Sequence, residues 1–333
     1  MRRHGRLAVA VALGLALAGC SSDAGRRESL SAAAEPFAEL PVPRTEVAGV
    51  TWRGRLAVVG GLTADGGASD VVHFWGPGDN RWVAGPPLPR PLHHSALVVL
   101  DDRLWAIGGY TNAPGRTWEP QRLAVSLGDG DKAWRQEVPL PTPLGGHAAA
   151  VVGDLIVVMG GESGGLPLAT TSVYDPAVRT WRRGPDLGRP REHLAAASAG
   201  GRVYAIAGRT ATEGNFTVVE SLAPGTGTAT TWRTEPDLIR PRGGIGADAV
   251  GATVCVVGGE EPAGTIGPVE CLTGGQWQAV ADLARPRHGL AVMALDGRLH
   301  VVGGGEQPGL FVSGVHEVVA VASALRAESA RGF

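Results

Sequence analysis

Lysine is all but missing: Lys132 is the only one among 30 basic residues, and 32 acidic residues leave a formal net charge of −2. So even a balance offers no basic surface for a phosphate backbone, and nucleic acid is not an expected partner. Aromatic residues make up only 5% of the chain, with three tyrosines, and there are three cysteines. The longest apolar run, "LAVAVALGLALA" near the N-terminus, is too short to span a bilayer comfortably. Catalytic signatures are missing as well. There is no Ser-His-Asp motif, no phosphate-binding glycine loop, and no HxH or HxxxH pair beside a carboxylate at ligand spacing. Neither a metal nor a cofactor is therefore expected, and no segment keeps a helical period.

What the chain has is one phrase written six times. Leucines at 40, 88, 140, 187, 238 and 283 are each followed three residues later by a proline and twenty residues later by a Gly-Gly doublet, which the fourth copy varies as Ala207-Gly208. Five of the six have a tryptophan six residues earlier (Trp82, Trp134, Trp181, Trp232, Trp277), where the first copy has Ala34. Insertions fall only between doublet and tryptophan. Self-similarity at this period marks a repeat architecture. Within each unit two short apolar runs meet at a turn such as Asp101-Asp102 or Asp296-Gly297. A third run and a fourth around the tryptophan complete four strands. Six antiparallel sets of four strands predict an all-β, six-bladed propeller.

The doublet after the second strand, the tryptophan on the fourth, and "RPR" or "RPREH" leading into the first resemble the kelch repeat over residues 35–322. First strands rich in small residues, such as "HAAAVV", suit blades converging on an axis, and second strands apolar on both faces suit a sandwich between neighbours. Ala207 stands where the other copies have glycine and is expected to carry strain. The C-terminal tail, 323–333, has no strand pattern. Blade six thus lacks an outer strand of its own, and residues 32–39 are expected to supply it by pairing with residues 312–321.

The N-terminus reads separately. "MRRHGR", the apolar run and "LAGC" resemble the signal and lipobox of bacterial lipoproteins, which implies a signal over residues 1–20 with lipid on Cys20. Residues 21–34 then form a flexible polar tether. The expectation is a monomer held by its lipid on the outer face of the bacterial cytoplasmic membrane. Cys255 and Cys271 lie on the second and third strands of blade five, as a disulfide or as two buried thiols.

Candidate binding residues come from the loops of one face. Arg44, Arg191, Arg242 and Arg287 follow the repeat proline. Two rings of positions, one after this arginine and one after the doublet, are where kelch proteins that capture acidic peptides place polar residues. Here they include Glu192 and His288, then Tyr110, Glu162, Arg209 and Glu260. His94, His147 and His193 match repeat positions that brace loops. The resemblance extends to two enzymes. The copper centre of galactose oxidase needs a cysteine-crosslinked tyrosine that this chain cannot place. A sugar-isomerising enzyme of the N-acetylneuraminate mutarotase type needs only a glutamate and an arginine, for which Glu192 with Arg191 or Glu162 with Arg209 would serve. The reading preferred over that enzyme is a non-catalytic module binding a protein, glycan or polar small molecule.

Overall fold

The computed structural model describes residues 37–112, 117–224 and 231–321. They form six antiparallel blades about one axis. Blade one runs Ala48–Trp52, Arg55–Val59, Val72–Trp75 and Val83–Ala84, and blades two to five repeat its order of four strands. The tight turns between first and second strands follow from sequence. Arg53-Gly54, Asp101-Asp102, Gly200-Gly201 and Asp296-Gly297 have positive φ at both positions, the geometry that matches hairpin twist.

The core is divided into six hydrophobic clusters, one at each blade–blade interface. The repeat tryptophans lie there for two reasons. Their rings are apolar bulk, and each indole N–H donates to a carbonyl two residues before the previous blade's leucine: Trp134 to Pro86, Trp181 to Val138, Trp232 to Pro185 and Trp277 to Pro236, all at 2.9–3.0 Å. The inner strands line an axial channel of about 300 Å³.

Ring closure keeps the same register. Trp82 donates to Ala38 at 2.7 Å. The Leu40 N–H donates to Gly314 at 2.7 Å, as Leu88 does to Asp70 and Leu283 to Gly267. Phe37 packs on His316, with ring centroids 4.9 Å apart. Residues 37–40 thus border His316–Val319, but blade six has three assigned strands among the described residues, and residues 32–36 of the expected outer strand lie outside them. So do the signal, the tether and the tail.

Ala207 has a φ of 50°, against 57–71° for its five glycine counterparts. Its strain, about 1 kcal/mol, is largely offset by its fully buried methyl group, worth about 0.8 kcal/mol. Cys255 and Cys271 are directly opposed across two strands and joined as a disulfide. For a loop of this size the bond contributes about 3 kcal/mol.

Candidate functional site

The residue five past each leucine pairs with the residue just after the doublet in six equivalent bridges: Thr45–Leu62, His93–Tyr110, Gly145–Glu162, Glu192–Arg209, Gly243–Glu260 and His288–Gly305. These are the two rings of positions singled out from the sequence, now joined pairwise on one face. One residue further along, the backbone forms a ring around the axis. The His94 N–H donates to the Glu46 carbonyl, Gly146 to His94, His193 to Gly146, Gly244 to His193 and Gly289 to Gly244, at 2.8–3.1 Å, and Val47 returns the ring to Gly289 at 3.2 Å.

Beside this ring lies a pocket of about 290 Å³, lined by Glu46, His94, His193, Arg209, Glu260 and His288, with Trp118 and Leu310 contributing apolar wall. Trp118 and Leu310 are each 47% exposed, and Phe311 45%. The polar groups form one continuous network. Arg209 donates to Glu260 at 2.7 Å and to Glu192 at 3.4 Å. Glu192 accepts from His193 Nδ1. His94 Nε2 lies 2.9 Å from His193 Nε2 and 3.1 Å from Glu46 Oε2, and Glu46 Oε1 lies 3.3 Å from His288 Nδ1. On the other side of the ring, His94 Nδ1 meets His93 Nδ1 at 2.6 Å.

Burial sets the charges. It lowers the pKa values of His94 and His193, and it takes His93 down to about 3. Burial alone would raise Glu46, but His94, His288 and His193 outweigh it and keep the carboxylate well below its usual range. His288 is raised: the cost of burial is outweighed by Glu46 and Glu260. The pocket therefore brings carboxylates, the Arg209 guanidinium and an imidazole of raised pKa, His288, into one small volume.

Of the candidates from sequence, Glu192, Arg209, Glu260 and His288 meet here. Tyr110 is buried beside it, its ring 5.5 Å from those of His93 and Trp118. Burial and Glu162 raise its hydroxyl's pKa. Glu162 lies on the hairpin Glu162–Ser163/Leu166–Pro167 and caps Gly165 N–H.

The four repeat arginines do not reach the surface of this face. Arg44, Arg191, Arg242 and Arg287 are fully buried. Their guanidinium groups turn into the blade, where Arg191 meets Glu220 at 2.7 Å, Arg287 meets Glu317 at 3.2 Å and Arg242 meets Glu270. Arg44 meets His73 Nδ1 at 3.1 Å instead. A loop position after proline reads as surface, but the acceptor waiting on the third strand reverses it. This also dissolves the expected Glu192–Arg191 and Glu162–Arg209 pairings: the pair that forms is Glu192 with Arg209. Sequence reasoning missed Glu46 altogether. Its signal was positional, because it stands where three other copies have glycine.

A family model described as the Kelch motif matches residues 143–188. The chain is 25% identical over 66% of its length to the Kelch-like protein terF of Aspergillus terreus, covering 50% of that protein. It is 32% identical over 54% of its length to the Kelch repeat and BTB domain-containing protein 13 of Homo sapiens, covering 40% of it. The chain thus spans half or less of these relatives. Its fold is similar to the solved structure of YjhT, with a TM-score of 0.75 and 15% identity, covering 86% of this chain and 97% of that one.

Proposed function

From the premise that this chain is a six-bladed kelch-repeat β-propeller, we propose that it is a lipid-anchored, extracytoplasmic binding module whose mouth pocket takes a small polar or anionic group, free or carried on a glycan or protein. The pocket carries the reading. It combines a concave volume of about 290 Å³, an aromatic wall at Trp118 and a partly exposed guanidinium at Arg209, held by two carboxylates. Small-ligand sites have this makeup of apolar lining and few convergent polar groups.

Sugar acids and short acidic peptides, titrated while Trp118 fluorescence is followed against a Trp118→Phe background, are the probes. Arg209→Ala is expected to weaken the best of them at least about tenfold, since it removes a charge-assisted hydrogen bond. Equal affinity in the variant, or no ligand with a Trp118-dependent signal, would count against the pocket. A sugar-isomerising reading rests on the Glu192–Arg209 contact and separates by another readout: anomer exchange of a sialic acid, followed by NMR and abolished by Glu192→Gln. The anchoring part rests on the lipobox residues and Cys20. Cys20→Ala is expected to release the protein from membranes or leave it unprocessed, and unchanged retention with normal processing would refute it.

A further inference from the structure

The ring position six residues past each leucine has φ between 52° and 68° in all six blades. Glycine adopts that backbone without strain, and blades three, five and six use it at Gly146, Gly244 and Gly289. Blades one, two and four instead have Glu46, His94 and His193, and each accepts strain to do so. Glycine closes the same hydrogen-bonded ring in the other blades, so the fold itself does not demand side chains here. Strain retained where the fold has a relaxed alternative points to function.

All three strained residues carry metal-donor atoms, and the topology aims those atoms at one point. His94 Nε2, His193 Nε2 and a Glu46 carboxylate oxygen lie within 4.8 Å of one another, with His94 Nε2 2.9 Å from His193 Nε2 and 3.1 Å from Glu46 Oε2. A tetrahedral ion with bonds of about 2.0–2.1 Å would hold such donors about 3.3 Å apart, so small side-chain shifts suffice. The outward groups are also held. His193 gives its Nδ1 proton to Glu192, His94 Nδ1 contacts His93 Nδ1, and Glu46 Oε1 faces His288. A carboxylate behind a ligating histidine fixes its tautomer and leaves Nε2 as the donor.

We propose that Glu46, His94 and His193 form a mononuclear site for a divalent transition-metal ion of the zinc type, with an open coordination position facing the mouth pocket. Two imidazoles and one carboxylate are a donor set suited to such ions, and three protein ligands leave room for a water or an incoming ligand atom. All three residues line the pocket beside Arg209, Glu260 and His288. The site does not depend on the ligand-binding reading, because metal uptake is measured without any organic ligand.

The test takes the mature chain stripped with a chelator and titrates it with Zn²⁺ by calorimetry and with Co²⁺ by visible absorption. The expected result is one ion per chain and the intense visible bands of four-coordinate Co²⁺. His94→Gly and His193→Gly install the residue that other blades use, so both variants should stay folded by circular dichroism while losing at least about 100-fold in Zn²⁺ affinity. Glu192→Gln, acting only through His193, should cost about 10–100-fold. The proposal is overturned if the wild-type chain takes up no stoichiometric Zn²⁺, if its Co²⁺ spectrum stays that of the hydrated ion, or if uptake survives both glycine variants.

Discussion

Replacing Arg191 with alanine is expected to cost about 3–5 kcal/mol, because it strands the buried Glu220 carboxylate without its cation. The propeller contains its own control. In blades four, five and six the residue after the repeat leucine (Gly188, Ile239, Ala284) has an N–H, and that N–H donates to the second carboxylate oxygen of Glu220, Glu270 or Glu317 at 2.6–2.9 Å. The other oxygen takes the arginine. In blades two and three the residue after the leucine is proline (Pro89, Pro141), the arginine is Leu92 or Leu144, and the third strand has Val125 or Ser172 at the register of the glutamate. Donor, cation and carboxylate come and go together. Blade one is intermediate, with Pro41, Arg44 and the neutral His73, whose pKa burial and Arg44 lower to about 4.

The triple change Gly188→Pro, Arg191→Leu and Glu220→Val transplants the blade-two solution into blade four. It should recover most of the loss and bring stability within about 1–2 kcal/mol of the wild type, since buried ion pairs are often replaceable by well-packed apolar groups. Urea denaturation of the single and triple variants decides this. A triple variant as damaged as Arg191→Ala would show that the ion pair is not an isolated module of the blade.

The second large effect lies at the closure. Leu40 is buried among Val47, Val58, Trp82, Met293 and Val302 from blades one and six, and Phe37 packs edge-on to Trp75 at 5.6 Å. Leu40→Ala alone is expected to cost about 2–5 kcal/mol. The Phe37→Ala/Leu40→Ala double variant should also lose hydrogen-exchange protection first along His316–Val319, the strand whose edge those residues border. The matched Leu187→Ala in an internal blade should lower stability without that local opening. Equal protection of residues 316–319 in both variants would mean that the circle is held elsewhere.

The fold was legible because its signals are local and repeated: the twenty-residue offset from leucine to doublet, and the two apolar runs that lie between them, recur in every copy. The two rings of loop positions were legible for the same reason, and Glu192, Arg209, Glu260 and His288, which meet at the mouth pocket, stand on them. What failed had a common cause. The burial of Arg191 is decided by Glu220, on another strand, and the cluster of Glu46, His94 and His193 joins residues from three blades. Their spacing in the chain resembles no metal motif, since the closed circle of blades, and not any one segment, brings their donor atoms together. Glu46 was hidden by the repeat itself, as averaging over copies erases the one blade that has a carboxylate where the others have glycine or histidine.

Diffraction from crystals of the protein soaked in Zn²⁺, with data collected on both sides of the zinc absorption edge, tests the mouth of the propeller as the functional site most directly. The expected result is a single strong anomalous peak within bonding distance of His94 Nε2, His193 Nε2 and the Glu46 carboxylate, open toward Arg209 and Trp118. A peak only at other residues, or none at the mouth at saturating Zn²⁺, would contradict it.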